Sequence, residues 1–237
     1  MCGRYTQAVD LKKLISRFRI DHALPKLPPR YNVAPGQQAP IVLADGGRHL
    51  KLMTWGLVPH WAQDPKIGNG MINARAESLT EKPSFRRPFL RSRCLVVADG
   101  FYEWCDVGHG RRKVPTWISL SSGEPFAFAG LWDAWRNPAG ETIESFTVIT
   151  TTANDVVRPI HHRMPVILAR EAEDHWLDPE LRDPDKLRDL LVPYLSAEMR
   201  AYEVASLVNS PENDVPECKQ PATSPYITSL KSIRYNN

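Results

Sequence analysis

Proline and glycine interrupt this chain so often that few long regular elements fit between them. The 237 residues include 21 prolines and 13 glycines. Proline ends or kinks a helix and cannot donate to a sheet ladder, and glycine marks turns. The sequence therefore predicts many turns joined by short elements, rather than a bundle of long helices.

The segments between these breaks have mostly strand-like patterns. A helix is predicted over residues 10–19, where Asp10 can cap an i, i+3, i+4, i+7 apolar stripe. A short helix is also predicted in SFRRPFLRSR, with Ser84 as its cap. Short apolar runs typical of strands are APIVLAD, HLKLMTWGL, RCLVVADG, GFYEWC, VPTWISL, PFAFAGLW and ESFTVITT. We therefore expect an α+β fold: a single compact domain with a mostly antiparallel, barrel-like β-sheet core and short peripheral helices.

Several classes of protein receive no support from the composition. Apolar runs stay well below the ~18 residues that a membrane span needs, and the N-terminal segment is too polar for a signal peptide. The cysteines and histidines lack zinc-site spacing, so we expect no metal and no other cofactor. We expect a cytoplasmic monomer that binds no membrane. The net charge of +3 does not by itself indicate a nucleic-acid partner.

The second residue is a cysteine. If Met1 is removed, Cys2 carries a free α-amine and a thiol on neighbouring carbons, with ordinary pKa values near ~7.7–8.0 and ~8.5. Such a pair captures an aldehyde as a Schiff base and then closes a five-membered thiazolidine ring. The alternative is that Cys2 is a small buried hydrophobe, as free cysteines often are.

Two further segments carry polar groups suited to a reactive site. In MINARAES, Asn73 and Arg75 are two residues apart and would face a common site in a strand. In DGFYEWC, aromatic neighbours would desolvate Glu103 and raise its pKa toward the range of a general acid or base. A turn asparagine beside a surface arginine, and an exposed glutamate at a strand end, are the alternatives.

Histidines and cations suggest an anion site. His161 and His162 lie at the entrance to a strand fixed by proline, and Arg158 and Arg163 flank them. Histidine can move a proton or bind a phosphate oxygen. Either imidazole suits this role, and a purely structural histidine remains the alternative.

Aromatic and basic residues alternate elsewhere in the chain. Trp55 and Trp61 are placed to wedge or stack bases, and Arg86 and Arg87 would contribute to an electrostatic groove for a phosphate backbone. The alternative is a solvated charged face above core tryptophans.

Together these motifs resemble the SOS response-associated peptidase (SRAP) family. The matching stretches, in the family's order, are MCGRYT, YNVAPGQ, TWGLVPHWA, MINARAES, ADGFYEW, FAFAGLW, FTVITTTAN, IHHRMPVIL and VNSPENDVPEC. They predict a family domain over residues 1–218 and a C-terminal tail over residues 219–237. The resemblance implies a sensor and shield of abasic sites in single-stranded DNA, near single-strand/duplex junctions and, in a bacterium, beside the nucleoid.

The resemblance also implies roles for individual residues. Cys2, as the first residue, would form a thiazolidine crosslink with the ring-opened sugar, and Asn73 would orient its amine. Glu103 would protonate the sugar ring oxygen, and His161 would contact the adjacent phosphate and move protons. The implied DNA contacts are Arg75 on the backbone, a wedge at Trp55, and a wider set made of Pro40, Trp61, Arg86, Arg87, Arg158, His162 and Arg163.

Three other functions remain open from the residues alone. An N-terminal-nucleophile amidohydrolase would use Cys2 to attack an amide. A thiol peptidase, acting on peptides or on its own Met1, would combine Cys2 with Glu103 and His161, and a lyase activity is a further expectation. A non-covalent single-strand-binding module would use Cys2 only for packing.

Overall fold

The computed structural model describes residues 2–108 and 112–222. It contains twelve strands and four α-helices within these ranges, joined by turns and short 3-10 segments. The strands are β1 Tyr5–Gln7, β2 Arg30–Val33, β3 Gln38–Ala44, β4 Arg48–Trp55, β5 Asn73–Arg75, β6 Arg93–Ala98, β7 Gly100–Asp106, β8 Lys113–Leu120, β9 Phe126–Arg136, β10 Thr142–Thr152, β11 Arg163–Pro165 and β12 Met199–Glu203. The α-helices are α1 Leu11–Phe18, α2 Pro83–Arg91, α3 Ala172–Leu177 and α4 Pro184–Asp189.

Two sheets form the core. The five-stranded sheet has the order β12-β8-β7-β1-β2, and the seven-stranded sheet has the order β11-β10-β4-β3-β6-β9, with β5 beside β10. An additional β10–β9 pairing closes the second sheet on itself, and such closure removes free strand edges. The pairs β10–β4 and β10–β5 are parallel, and the other strand pairs are antiparallel. The structure confirms the α+β, barrel-like prediction.

Both faces of the central strands are buried, which explains their nearly continuous apolar sequence. In β6, Cys94 and Val96 belong to a core cluster shared with the five-stranded sheet, through Tyr5 and Phe101. Leu95 and Val97 point to the opposite cluster, which the helices cover. The alternation follows from the two-residue period of a strand.

The sequence predicted helices at α1 and α2, and one of the two predicted capping residues is correct. Asp10 caps α1 by accepting a hydrogen bond from Lys13 N at 2.9 Å, as predicted. The prediction that Ser84 caps α2 is wrong, because the helix begins at Pro83 and Ser84 is buried inside its first turn. Proline suits the first helical position, where its missing N–H is not needed.

The predicted tail over residues 219–237 lies largely outside the described residues. Its first residues are described: Lys219 Nζ lies 2.9 Å from Asp99 Oδ2, and Ala222 N donates to Glu203 O at 3.0 Å. The domain boundary at residue 218 therefore stays a prediction. Among the helices of the described ranges, none has the length and apolar content needed to cross a bilayer.

Candidate functional site

The N-terminal segment enters the core at Cys2. Its side chain is fully buried, in a cluster that includes Tyr5 and Phe101. Strand β1 holds this segment between β2 and β7, with Tyr5 paired to Phe101. The carbonyl of Cys2 accepts a hydrogen bond from Asn73 Nδ2 at 2.9 Å. Backbone pairing and one side-chain amide thus fix the position of Cys2.

Glu103 lies on β7, beside the same segment. Tyr102 N donates to Arg4 O at 2.9 Å, so the neighbouring Glu103 lies next to the chain just after Cys2. Glu103 is only 4% exposed, and this burial raises its pKa above the ordinary value. Burial also raises the pKa of the Cys2 thiol, and the charge of Glu103 raises it further. The Glu103 carboxyl therefore stays protonated to a higher pH than an exposed glutamate, and it lies beside the Cys2 thiol.

Asn73 and Arg75 lie on β5, which pairs with Val148–Thr150 of β10. Ala74 between them is buried, so the two polar side chains share the other face of the strand, as predicted. They line an open groove of about 640 Å³. Within the described residues, the buried Oδ1 of Asn73 has no hydrogen-bond partner. That amide therefore holds Cys2 with one end and keeps an acceptor for a ligand or an amine at the other.

His161 ends the turn that leads into β11. Its Nδ1 lies 3.0 Å from Arg163 N and 3.2 Å from Arg163 O, so the backbone of Arg163 holds the ring whichever nitrogen of the neutral ring carries the proton. Burial lowers the pKa of His161 and favours this neutral ring. The preceding Ile160 packs against the core cluster that contains Cys2, and Cys105 Sγ donates to Pro159 O at 3.9 Å. These contacts place the turn at the same end of the sheets as Cys2 and Glu103.

The two histidines differ in their surroundings. Their rings stack with centroids 4.4 Å apart. His161 is half-buried, whereas His162 is exposed. The half-buried ring suits proton transfer in the interior, and the outer ring suits contact with a ligand in solvent.

The predicted DNA contacts divide into exposed and buried residues. Trp61 is 48% exposed, in the loop after β4. The exposed arginines and histidine of the set are Arg75, Arg86, Arg87, Arg158 and His162. These side chains are accessible to a ligand without rearrangement of the fold.

Two apolar residues of the predicted set are buried. Trp55 is 1% exposed, and its Nε1 donates to Ile72 O at 2.8 Å. Its ring packs edge-on against Tyr5. Pro40 is buried in β3, opposite Leu52 of β4. Both side chains are covered in this structure, and a DNA wedge at either position stays a prediction.

Arg163, another residue of the predicted set, is also buried. Its guanidinium binds both carboxylate oxygens of Glu77, at 2.6 and 2.9 Å, and donates to Thr150 O at 2.6 Å. This contact ties β11 to the segment after β5, and it lowers the pKa of Glu77. No local pattern predicts this contact, because Glu77 and Arg163 are 86 residues apart.

The sequence reasoning missed a group that holds the N-terminal strand. Arg4 Nη1 donates to Asn32 Oδ1 at 2.8 Å and to Val208 O at 2.9 Å. Asn32 is fully buried, and its amide donates to the carbonyls of Ser210 and Asn213 at 2.9 and 2.8 Å. These residues lie in MCGRYT, YNVAPGQ and VNSPENDVPEC, so the quoted motifs contained the signal. In the described residues, no three His, Cys, Asp or Glu side chains are grouped to hold a metal ion.

Comparisons with known proteins place these motifs in context. A family model described as SOS response associated peptidase (SRAP) matches residues 1–211. The chain is 49% identical over 220 residues to the abasic site processing protein YoqW of Bacillus subtilis (strain 168), which covers 92% of this chain and 98% of that protein. It is 34% identical over 224 residues to the abasic site processing protein HMCES of Gallus gallus, which covers 81% of this chain and 66% of that protein.

A solved structure has the same fold. The crystal structure of a protein from Bacteroides thetaiotaomicron aligns with a TM-score of 0.85 and 31% sequence identity. The alignment covers 93% of this chain and all of the other.

Proposed function

This chain belongs to the SOS response associated peptidase (SRAP) family, and we propose that it processes abasic sites in DNA, as its named relatives do. In particular, we propose that it senses and shields abasic sites in single-stranded DNA through a covalent crosslink. The crosslink is a thiazolidine formed by Cys2 once Met1 has been removed. The substrate is the ring-opened sugar aldehyde of the abasic site.

The observation that carries this proposal is the convergence on Cys2 of groups suited to aldehyde capture. The Asn73 amide binds the Cys2 carbonyl at 2.9 Å, and the Glu103 carboxyl is near enough to raise the pKa of the Cys2 thiol. Burial keeps the Glu103 carboxyl and the His161 ring closer to their neutral forms. Capture of an aldehyde needs an amine, a proton donor and a proton acceptor; Cys2 freed of Met1 would supply the amine, Glu103 the proton and His161 the acceptor.

The first step opens the sugar. An abasic site is mostly a cyclic hemiacetal, which must release its aldehyde before an amine can attack. The protonated Glu103 carboxyl donates its proton to the ring oxygen as the C–O bond breaks, and the proton of the anomeric hydroxyl leaves to a base. The acceptor Oδ1 of Asn73 orients the α-amine of Cys2 toward the aldehyde carbon.

The second step forms the crosslink. The amine adds to the aldehyde, and one water leaves to give an imine. The thiol of Cys2 then adds across the C=N bond, so that a C–S bond forms and the thiol proton ends on nitrogen. The neutral ring of His161 moves protons between these atoms. The net change is the loss of one water, with no oxidation or reduction.

The exposed polar groups around this site suit a single strand. Arg75 lies in the groove beside Asn73, and Arg158 and His162 lie outside His161. These groups can bind phosphates on either side of the lesion. The half-exposed ring of Trp61 offers a stacking surface for a base.

The test is incubation of the protein lacking Met1 with single-stranded DNA that carries one abasic site, followed by a denaturing gel. We expect a heat-resistant band in the wild type that is lost in Cys2→Ala and in a chain extended by one residue before Cys2. The extended chain is the matched control, because it keeps the thiol and blocks only the amine. A band that persists in both variants would rule out the proposed chemistry.

The word peptidase in the family description supports a second candidate, a peptidase activity. We propose removal of the chain's own Met1 as the form of it to test. Intact mass spectrometry of the chain with Cys2→Ala tests self-processing. Retained Met1 in this variant and its loss in wild type, both made in a cell-free system without methionine aminopeptidase, would support it. A lyase activity would instead appear as strand cleavage at the abasic site on the same gel.

A further inference from the structure

A histidine and a buried aspartate form a pair outside the site around Cys2. Asp133 lies on β9 with its side chain 6% exposed, and His60 lies in the loop after β4 with its side chain 44% exposed. Asp133 Oδ2 accepts hydrogen bonds from His60 N and Nδ1, both at 2.9 Å. The carboxylate therefore fixes both the backbone and the ring of His60.

Arg87 of α2 completes the cluster. Its Nη1 lies 3.5 Å from Asp133 Oδ1 and 3.4 Å from His60 Nδ1, and its side chain is 55% exposed. Asp133 Oδ1 also accepts a hydrogen bond from Ala134 N at 2.9 Å. One buried carboxylate thus accepts hydrogen bonds from several donors and aligns two half-exposed nitrogen side chains side by side.

The orientation leaves donors for a ligand. With Nδ1 donating to Asp133, the His60 ring directs Nε2 away from the carboxylate, and a doubly protonated ring donates from Nε2 as well. The guanidinium of Arg87 uses only one nitrogen in these contacts, and its planar fork suits two oxygens of a phosphate. Arg86 adds a further exposed cation on α2.

The cluster is connected to the site around Cys2. Trp61, the exposed aromatic residue, directly follows His60. The same loop is bound to the segment before Asn73, because Leu57 N donates to Met71 O at 3.1 Å. A strand that stacks a base on Trp61 would therefore bring a backbone phosphate close to His60 and Arg87.

We propose that His60 and Arg87, aligned by Asp133, form a subsite for one phosphodiester of the DNA strand that leads to Cys2. The inference rests on the proposed function only in that DNA is the ligand. His60 and Arg87 would contact the phosphate, and Asp133 would act as a positioning residue through them. The subsite would set where along the strand the abasic sugar stops, because the distance from phosphate to lesion is fixed by the backbone.

The first experiment measures binding without crosslinking. Intact single-stranded DNA is titrated with wild type, His60→Gln, Arg87→Gln and Asp133→Asn by fluorescence anisotropy at several salt concentrations. We expect about three- to tenfold weaker binding for each variant, and a salt slope reduced by about 0.7 for Arg87→Gln. Matched controls are the same exchanges at other exposed positions, His175→Gln and Arg182→Gln, which should leave the affinity unchanged.

The second experiment locates the phosphate. Oligonucleotides with one neutral methylphosphonate linkage, moved stepwise along the strand, are compared between wild type and His60→Gln. We expect one linkage position at which the methylphosphonate weakens DNA binding by wild type but not by His60→Gln. Inorganic phosphate should compete only at concentrations far above those of DNA. An equal loss of affinity in wild type and His60→Gln at every methylphosphonate position would overturn the subsite.

The outcomes separate this inference from the proposed function. Crosslinking by wild type together with unchanged DNA affinity in His60→Gln and Arg87→Gln would sink the subsite alone. DNA binding that depends on His60 and Arg87, without any crosslink, would sink the chemistry at Cys2 alone. Thermal melting of each variant confirms that a lost affinity is not a lost fold.

Discussion

The clearest stability prediction concerns Arg163→Met. The substitution keeps an apolar stem of similar length and removes the guanidinium that joins β11 to Glu77 and to Thr150 O. Removing one partner of a fully buried ion pair costs about 3–5 kcal/mol, because the other charge stays buried. Here the Glu77 side chain is 54% exposed, so its carboxylate regains water and most of that cost disappears.

The remaining loss of stability comes from the backbone of β10. Thr150 is fully buried, and its carbonyl loses a donor at 2.6 Å. An unsatisfied buried acceptor costs about 1–3 kcal/mol. With the small part lost at Glu77, we expect the free energy of unfolding to fall by about 2–3 kcal/mol.

The assay is urea unfolding followed by tryptophan fluorescence. The matched control is Arg158→Met, because Arg158 is 68% exposed and its pair with Asp155 is within one turn at 3.4 Å. The control should change the free energy of unfolding by less than about 0.5 kcal/mol. A cost below that value for Arg163→Met would refute the structural role of this arginine.

The stability that the ion pair of Glu77 and Arg163 contributes should change with pH in a definite direction. Arg163 lowers the pKa of Glu77 below its ordinary value of 4.5. A carboxyl with a lowered folded-state pKa contributes stability that is present above the unfolded pKa and is lost as pH falls through the folded one. The stability difference between wild type and Arg163→Met should therefore narrow in acid. A difference that stays constant between pH 7 and pH 3 would show that Glu77 contributes nothing.

Two further predictions concern the reaction and the surface. Glu103→Gln should slow crosslink formation about 10²- to 10⁴-fold while DNA affinity is retained. The wild-type rate should fall as pH rises through the raised pKa of Glu103, and the variant should lack this fall. Single-turnover gels across pH measure both effects, and a variant with the wild-type pH profile would exclude Glu103 as the acid. Trp61→Ala should weaken single-strand binding by about 1–3 kcal/mol and leave stability unchanged, which fluorescence anisotropy measures. Trp55→Ala should instead lower the free energy of unfolding by about 3–5 kcal/mol, which urea titration measures. A loss of stability in Trp61→Ala and none in Trp55→Ala would contradict the exposed position of Trp61 and the buried position of Trp55.

Local patterns predicted most of the fold. The nearly continuous apolar runs of β6 and β9 reflect sheets covered on both faces, and the cap and apolar stripe of α1 are visible in the sequence. The strand predicted after His161 and His162 is only partly regular, since β11 ends at Pro165 and Ile167 forms an isolated bridge. The closure of the barrel also depends on the pairing of β10 with β4 and β5, which lie far away in the sequence, and no local pattern encodes that pairing.

The same limit applies to the site. Neighbours in the sequence placed Asn73 and Arg75 on one face, because strand geometry fixes that relation. Burial of Trp55 and Arg163 was not predictable, because an aromatic or a cation suits a core or a surface equally until its partners are known. The cluster of His60 with Asp133 was invisible for the same reason, since 73 residues separate them.

The most direct test of the central proposal is the chemical form of the crosslink. The isolated adduct between the Met1-free protein and an abasic oligonucleotide is weighed with and without prior borohydride treatment, and its crosslinked peptide is sequenced. A thiazolidine at Cys2 predicts the summed masses less one water, no mass gain with borohydride, and attachment to the N-terminal peptide alone. A gain of two hydrogens, or attachment to an internal lysine, would show a simple Schiff base and would contradict the proposed role of the Cys2 thiol.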